Sequence, residues 1–595
     1  MNNITRNSFL KHTLKAGAVF MVNNFDLLAH NVPRENQTNF LKDEDILKQL
    51  MTANDNQVDR LLTMLNSGES GLSRRIGYYF AQLSASYCSP DSKHFYRPEI
   101  VWALEKLAQV LISFQAEDGT LNFGNLESPP DTAFLLEPLL AGAFLLKKEH
   151  SPALVNVNNE IRKFSIKCGN ALVVGGIHTP NHRWVVSAAL ARLNTLYPNQ
   201  KYVNRIEDWL GEGIYNDSDG HFPERSMNYS NVEDNSLITL GRLLNKPALL
   251  IPVRRNLEMT YYYMDPNGDL VITDSRRQDQ YTSKSIVSFY LHYRYMAVKD
   301  KNSHFAAIAS FIEHMKEFEE EIISNSLFHF LENELLQEKL PVSTTLPVNY
   351  EKLFTSSKLL RIRRGNITST LFGGVDWPLI IASGRSNSAN FFSYCNGKAI
   401  LKYMRLSTNF FNTGYFYSDG LKKEENKYIL YKKLEVPYYQ PLPKNLRIAS
   451  GDYKLSPSVD ERFWNKMDFQ HRPLSNVKTM ETTITLLETN GRNDVSFLVN
   501  GPSGIAVTIE LCFNEGGKLS GVTTPGNGNS FLENGDGKYE FDGDAIQFGP
   551  GAVTHKMINN LEGERYSTHF GTLRTEGMHV YLTGVTPFNH TLTFQ

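Results

Sequence analysis

The sequence predicts two unlike domains in order, an all-helical one followed by an antiparallel β-sandwich. Three observations predict it. Apolar residues recur at helical spacing up to about residue 340, and a proline-bearing break, Leu340-Pro341-Val342-Ser343-Thr344-Thr345-Leu346-Pro347, follows. Beyond it apolar and polar residues alternate. At 595 residues the chain is long enough that two or more cores are the default. The expected boundaries are an export signal over 1–30, a helical domain over 31–345 and a sandwich over 346–595.

The elements follow in chain order. Met1 to Val22 opens with Arg6, Lys11 and Lys15 and continues into the apolar run Ala16 to Val22. This resembles an export signal. Thr5-Arg6-Asn7-Ser8-Phe9-Leu10-Lys11 is similar to a twin-arginine signal with Asn7 in place of the second arginine. The expectation is a mature chain starting near Asn31 in the periplasm, with an ordinary amphipathic first helix as the alternative. Phe134 to Leu146 is apolar nearly all round, the pattern of a helix buried among others. Ile286, Phe289, Tyr290 and Tyr293 keep helical spacing, and Ser303 is expected to cap a helix carrying Phe305, Ile308, Ile312 and Met315. Loops such as Pro198-Asn199, Asn245-Lys246-Pro247 and Asp265-Pro266-Asn267-Gly268 separate these segments. About ten to twelve helical segments make about five or six antiparallel hairpins. In the second half, Met480, Thr482, Ile484 and Leu486 alternate, as do Ile505, Val507, Ile509, Leu511 and Phe513. Turns such as Asn534-Gly535-Asp536-Gly537 punctuate these strands.

Composition excludes some functions. Lysine plus arginine number 61 against 63 aspartates and glutamates, a net charge of -2, so bulk charge does not point to nucleic acid. No run of 18 apolar residues exists, so no membrane-spanning helix is expected. The 28 tyrosines and 35 phenylalanines suit a ligand with flat apolar faces and many hydroxyls, such as a sugar. Cys88, Cys168, Cys395 and Cys512 are scattered without metal-ligand spacing and read as buried thiols, a disulfide remaining open in an exported chain. No metal or other cofactor is expected.

Polar residues concentrate at loop-to-helix junctions. The first runs from Gln115-Ala116-Glu117-Asp118-Gly119 through Gly124-Asn125 to Ser128-Pro129-Pro130-Asp131. The second is His178-Thr179-Pro180-Asn181-His182-Arg183-Trp184, and the third Asp219-Gly220-His221-Phe222-Pro223-Glu224-Arg225-Ser226-Met227-Asn228-Tyr229. A weaker fourth is Asp274-Ser275-Arg276-Arg277-Gln278. Each has an ordinary reading. Asp131 and Asn181 suit helix N-caps, His182 a core histidine, and Arg276-Arg277 a solvated pair. Taken together, the second and third junctions fit one rim of a helical barrel, where helix N-termini favour an anionic ligand.

Asn181-His182 followed by the Asp219 to Tyr229 segment resembles the heparinase II/III-like and alginate-lyase group, and is most similar to polysaccharide lyase family 27, the L-rhamnose-α-1,4-D-glucuronate lyases of arabinogalactan side chains. The motifs span about fifty residues; the domain order covers nearly the whole chain. The resemblance implies an (α/α)6-type helical toroid followed by an antiparallel β-sandwich. It also implies a β-elimination at C4 of a uronic acid, with Tyr229 as the catalytic tyrosine.

The chemistry explains the residue types. Removing the proton at C5 builds negative charge on the adjacent carboxylate, which donors must neutralise where it develops. Asn181, His182, Arg183 and Arg225 are the candidate donors. Tyr229 takes the proton as a phenolate and returns one to the leaving oxygen; a free phenol has a pKa of about 10, so nearby cations must favour the anion. Arg225 precedes Tyr229 by four residues and shares its face if both lie in one helix. His182 or His221 is the alternative base. Glu224, Asp131, Asp118, Arg276 and Arg277 complete the expected substrate-binding set. His471, in Asp468-Phe469-Gln470-His471-Arg472-Pro473, is the candidate from the sandwich, a surface turn being its ordinary reading. Two other functions fit the residues. A glycoside hydrolase on an (α/α) barrel needs two carboxylates about 5 to 9.5 Å apart, drawn from Asp118, Asp131, Asp219 and Glu224. A non-catalytic glycan-binding protein needs only the aromatics and the sandwich. The expected partner in every case is a uronic-acid-containing oligo- or polysaccharide, not nucleic acid or membrane.

Overall fold

The computed structural model describes residues 42–68, 71–374, 380–381, 384–385, 388–411, 413–458, 463–525, 529–558 and 576–595. The expected export signal over 1–30 lies outside the described residues. The chain divides into two compact units. One comprises the residues up to Tyr261 together with Ser285–Leu346, and the other Tyr262–Lys284 together with Pro347–Gln595.

The first unit is built from helices α1 (Glu44–Asn66), α2 (Arg75–Cys88), α3 (Pro98–Phe114), α4 (Pro129–Lys148), α5 (Val155–Val174), α6 (His182–Leu196), α7 (Gln200–Gly211), α8 (Met227–Leu243), α9 (Leu250–Tyr262), α10 (Tyr290–Asp300), α11 (Ser303–Glu313) and α12 (Leu327–Glu332). Burial sorts them into layers. In α4 and α6 most positions are buried, 14 of 20 and 12 of 15, whereas α7 buries only Tyr202 and Ile206. Accordingly α2 packs on α4, α4 on α6 and α6 on α8, while α3 packs on α5 and α5 on α7. Because each connection reverses the chain, the even-numbered inner helices run the same way and their N-termini share one rim. Ser128 caps α4 ahead of Pro129 and Pro130, which fit a first helical turn because its N–H groups have no intrahelical partner.

A buried ionic network ties the inner layer together. Arg192 of α6 donates to Glu137 of α4 at 2.8 Å and to Glu332 of α12 at 2.6 Å, and Arg242 of α8 reaches the same Glu332 oxygen at 2.6 Å. Thr239 and Asn235 of α8 donate to the other Glu137 oxygen. Burial alone would raise Glu332, but the two guanidinium groups hold it down to about 2.

One local expectation is corrected. The cap of α11 is Asn302, whose side chain accepts from His304 and Phe305, and Ser303 is already the first helical residue. The segment 262–284 groups with the second unit and not with the helical one. Its anchor is Arg361, a buried guanidinium that donates to the Tyr262 and Met264 carbonyls and to Asp265 at 2.6 Å. Tyr263 adds a bond to Asp274 at 2.7 Å.

The second unit carries two large sheets. One runs through Asn349–Phe354, Leu359–Arg364, Ile367–Phe372, Phe392–Asn396, Ala399–Thr408, Ala506–Phe513 and Met578–Val585, antiparallel at each step, with Ser530–Phe531 parallel at the far edge. The other runs through Lys518–Ser520, Gly537–Phe541, Asp544–Gly549, Phe588–Phe594, Arg492–Asn500, Leu474–Thr489, Lys427–Tyr439 and Leu421–Glu424. Leu406, Val507, Ile509, Leu511 and Leu582 of the first sheet and Ile484, Leu486, Val495 and Phe497 of the second share one apolar core. Alternation thus places one face of each sheet inward. Ala506–Phe513 is buried at every residue, and Glu510 on its other face pairs with His579 at 2.9 Å. All four cysteines are free thiols.

Candidate active site

Four loops lead into inner helices, and side-chain contacts link them in series. At α4, Ser128 accepts the Asp131 N–H, so Ser128 is the cap and the Asp131 carboxylate is left to other side chains. Arg74, just ahead of α2, donates to one oxygen, and Asn125 donates to the other at 2.9 Å. The Arg74 guanidinium also lies over the Phe134 ring, 5.5 Å from its centroid. Phe134 in turn meets His182 edge-on at 6.0 Å, and His178 meets the same imidazole at 4.7 Å. The first and second junctions therefore touch through Phe134.

Asn181 joins the second to the third. Its backbone is already helical and its side chain makes no capping bond. Fully buried, it donates instead to Glu224 at 2.6 Å and to Thr179 at 3.3 Å. Glu224 belongs to a loop folded by Asp217, one of whose oxygens accepts the N–H groups of Asp219, Gly220 and His221, each at 2.9 Å. Burial raises the Asp217 carboxyl, and these amides oppose the rise. Gly220 is required: its φ is +107°, and a Cβ there would lie 2.5 Å from the Arg255 carbonyl oxygen. His221, 1% exposed, is buried within this loop.

Arg225 takes a left-handed backbone at φ 48°, and Ser226 then caps α8 by accepting the Tyr229 N–H at 3.1 Å. Tyr229 is thus the third residue of α8 and half-buried. A negative charge at that position interacts favourably with the positive end of a helix. The helical stagger expected between Arg225 and Tyr229 does not exist, because Arg225 precedes the cap. Its charge acts on the Asp217 carboxyl.

Other expected site residues have partners of their own. Arg183 pairs with Glu212 at 3.0 Å and stacks on Trp184. Asp118 closes its own turn, accepting from the Thr120 N–H and hydroxyl. His471 does likewise with Asp468, at 2.7 Å and more than half exposed. Arg276 and Arg277 belong to the second unit. Arg277 is 8% exposed and not a solvated residue; burial lowers its pKa, with Asp279 opposing. Sequence reasoning missed Arg74 and Phe134. Their only sequence signal is a place at the start of an inner helix, which is legible once the layers are known. Among the described residues no group of three or more His, Cys, Asp or Glu is arranged to hold a metal.

Paired helices in two layers followed by a two-sheet antiparallel sandwich make up a fold that this chain shares with solved structures. Heparinase III matches with a TM-score of 0.53 at 12% identity, covering 87% of this chain and 75% of that one. A chondroitin AC lyase variant from Streptomyces coelicolor A3 matches at 0.50 and 12% identity, covering 92% and 79%. A xanthan lyase from Paenibacillus matches at 0.53 and 11% identity, covering 92% of this chain and 57% of that one. No family model matches the sequence, and no curated protein matches it.

Proposed function

We propose that this chain is a polysaccharide lyase that cleaves at C4 of a uronic acid by β-elimination. The observation that carries the reading is the Asn181–Glu224 hydrogen bond, which ties the Asn-His turn of α6 to the loop that presents Tyr229. The proteins whose fold it shares are a heparinase, a chondroitin lyase and a xanthan lyase, each named for a polysaccharide.

The rim presents the N-termini of α2, α4, α6 and α8 with Arg74, His178, His182 and Arg225 among them, a setting suited to an anionic sugar. In the proposed reaction the Tyr229 phenolate takes the C5 proton. The C5–H electron pair becomes the C4–C5 double bond, the C4–O bond breaks, and the leaving oxygen takes a proton from Tyr229. Charge building on the uronate carboxylate is met by His182 and by the Asn181 amide, which exchanges its longer bond to Thr179 for the substrate. His221 is the alternative base. The glycosidase reading has weaker support: Asp118 bonds its own turn, while Asp131 and Glu224 are engaged by Arg74, Asn125 and Asn181.

The finer proposal is an L-rhamnose-α-1,4-D-glucuronate bond in arabinogalactan-type glycans, met in the periplasm. It is supported by the Asn181-His182 and Asp219 to Tyr229 motifs and by the basic-then-apolar start of the chain. Incubation with a panel of uronate glycans tests the reading. The expected product absorbs in the ultraviolet as an unsaturated uronate; new reducing ends without that absorbance would overturn it in favour of hydrolysis.

A further inference from the structure

Glu233 lies one turn beyond Tyr229 on α8, so the two side chains leave the same face of the helix. It is 1% exposed. Arg183 and the Trp184 indole, both in the first turn of α6, face its carboxyl, yet neither oxygen reaches hydrogen-bond geometry with a described residue. Asp234, the next residue, is fully buried with both oxygens in the same condition. Two adjacent interior carboxyls with so little compensation hold their protons, since ionising either would put a charge into the core. Burial raises Glu233 to about 8, with Arg183 and Trp184 opposing, and raises Asp234 well above the ordinary carboxylate range, with Glu233 adding to the effect. The groups to be counted around Glu233 are therefore Arg183 from α6, and Asp234 and Tyr229 on its own helix. Burial raises the Tyr293 phenol of α10, and Asp234 adds to that rise. Arg183 meanwhile reaches outward, to Glu212 at 3.0 Å.

We propose that Glu233 is a positioning residue for the Asn181-His182 turn: as a neutral acid it leaves Arg183 paired with Glu212, and as a carboxylate it draws Arg183 inward and shifts the turn beside it. Arg183 directly follows His182, so a change in its partner is transmitted through one peptide bond to the residues that meet the uronate. The kinetic part of this inference rests on the lyase reading; the exchange of partners does not.

Two measurements on the full chain test it. The first is the pH dependence of kcat/KM. Wild type loses activity near pH 8, while Glu233→Gln moves that alkaline limb up by at least about one pH unit and keeps its rate below pH 7 within about threefold. A Glu233→Gln enzyme slowed equally at every pH would make the residue merely structural and overturn the proposal. The second needs no substrate. Melting temperatures of wild type, Glu233→Gln, Glu212→Gln and the double variant form a cycle at two pH values. The two glutamates compete for Arg183 only when Glu233 is charged, so the cycle shows coupling at pH 9 and none at pH 6. Coupling that is absent at pH 9, or equal at both, overturns the exchange. Should no uronate glycan be turned over, the cycle still decides, and the failure then belongs to the lyase reading alone.

Discussion

Asn181 illustrates how one side chain is released from capping a helix. A buried asparagine at a helix start ordinarily caps the helix, yet here it turns to Glu224 and Thr179. Glu224 therefore fixes which way the amide points, and Glu224→Ala is expected to lower kcat about a hundredfold with little change in folding, because a small misplacement of a donor is costly in rate. Steady-state kinetics beside a thermal melt checks this; an unchanged kcat would remove Glu224 from the site. Asn181 and His182 fall in one short segment of the sequence and Glu224 and Tyr229 in another, so closeness within each pair was legible, whereas the Asn181–Glu224 bond that spans 43 residues was not. Four-residue spacing gives Arg225 and Tyr229 a shared face only inside a continuous helix, and the left-handed backbone of Arg225 ends that continuity. Asp118 closes its own turn, and in sequence such a carboxylate looks like one awaiting a ligand. Arg74 escaped notice because its partner Asp131 lies 57 residues away.

Helices α4, α6, α8 and α12 meet at Glu137, Arg192, Arg242 and Glu332, and this network holds the inner layer whose N-termini carry the proposed site. Removing one partner strands buried charge on the others, so Arg192→Ala is expected to cost about 3–5 kcal/mol in denaturant unfolding. A loss below about 1 kcal/mol would show that the network is dispensable. One inner helix was readable: Phe134 to Leu146 is apolar nearly all round and forms the core of α4. Boundaries were less so: Asn302 and Ser303 are both good caps, and only the backbone decides between them. The network was invisible for a different reason, since charged residues at helical spacing read as a solvated face until the layers place them inside.

The whole molecule balances these buried groups against pH. Glu332 is held at about 2 in the fold against about 4.5 when unfolded, so the stability it contributes is present above pH 4.5 and lost as pH falls through about 2. Glu233 has the opposite sign. Raised to about 8, its contribution is full below the unfolded pKa of about 4.5 and is lost progressively as pH rises through 8. Glu233→Gln is therefore expected to melt at least about 3 °C above wild type at pH 8, with the gap closing near pH 4.5. A gap that does not change with pH would contradict that sign. The order of helices then strands was legible at this scale because the two hydrophobic periods differ and Leu340 to Pro347 separates them. The attachment of 262–284 to the second unit was not, since it depends on Arg361, about a hundred residues further along the chain. The central claim is that Tyr229 performs an elimination on a uronate. The most direct measurement is ultraviolet absorbance of a rhamnose-glucuronate glycan treated with wild type and with Tyr229→Phe. The account predicts growing absorbance with wild type and a rate at least about a hundredfold lower with the variant. Equal rates, or bond cleavage by wild type without absorbance, would contradict it.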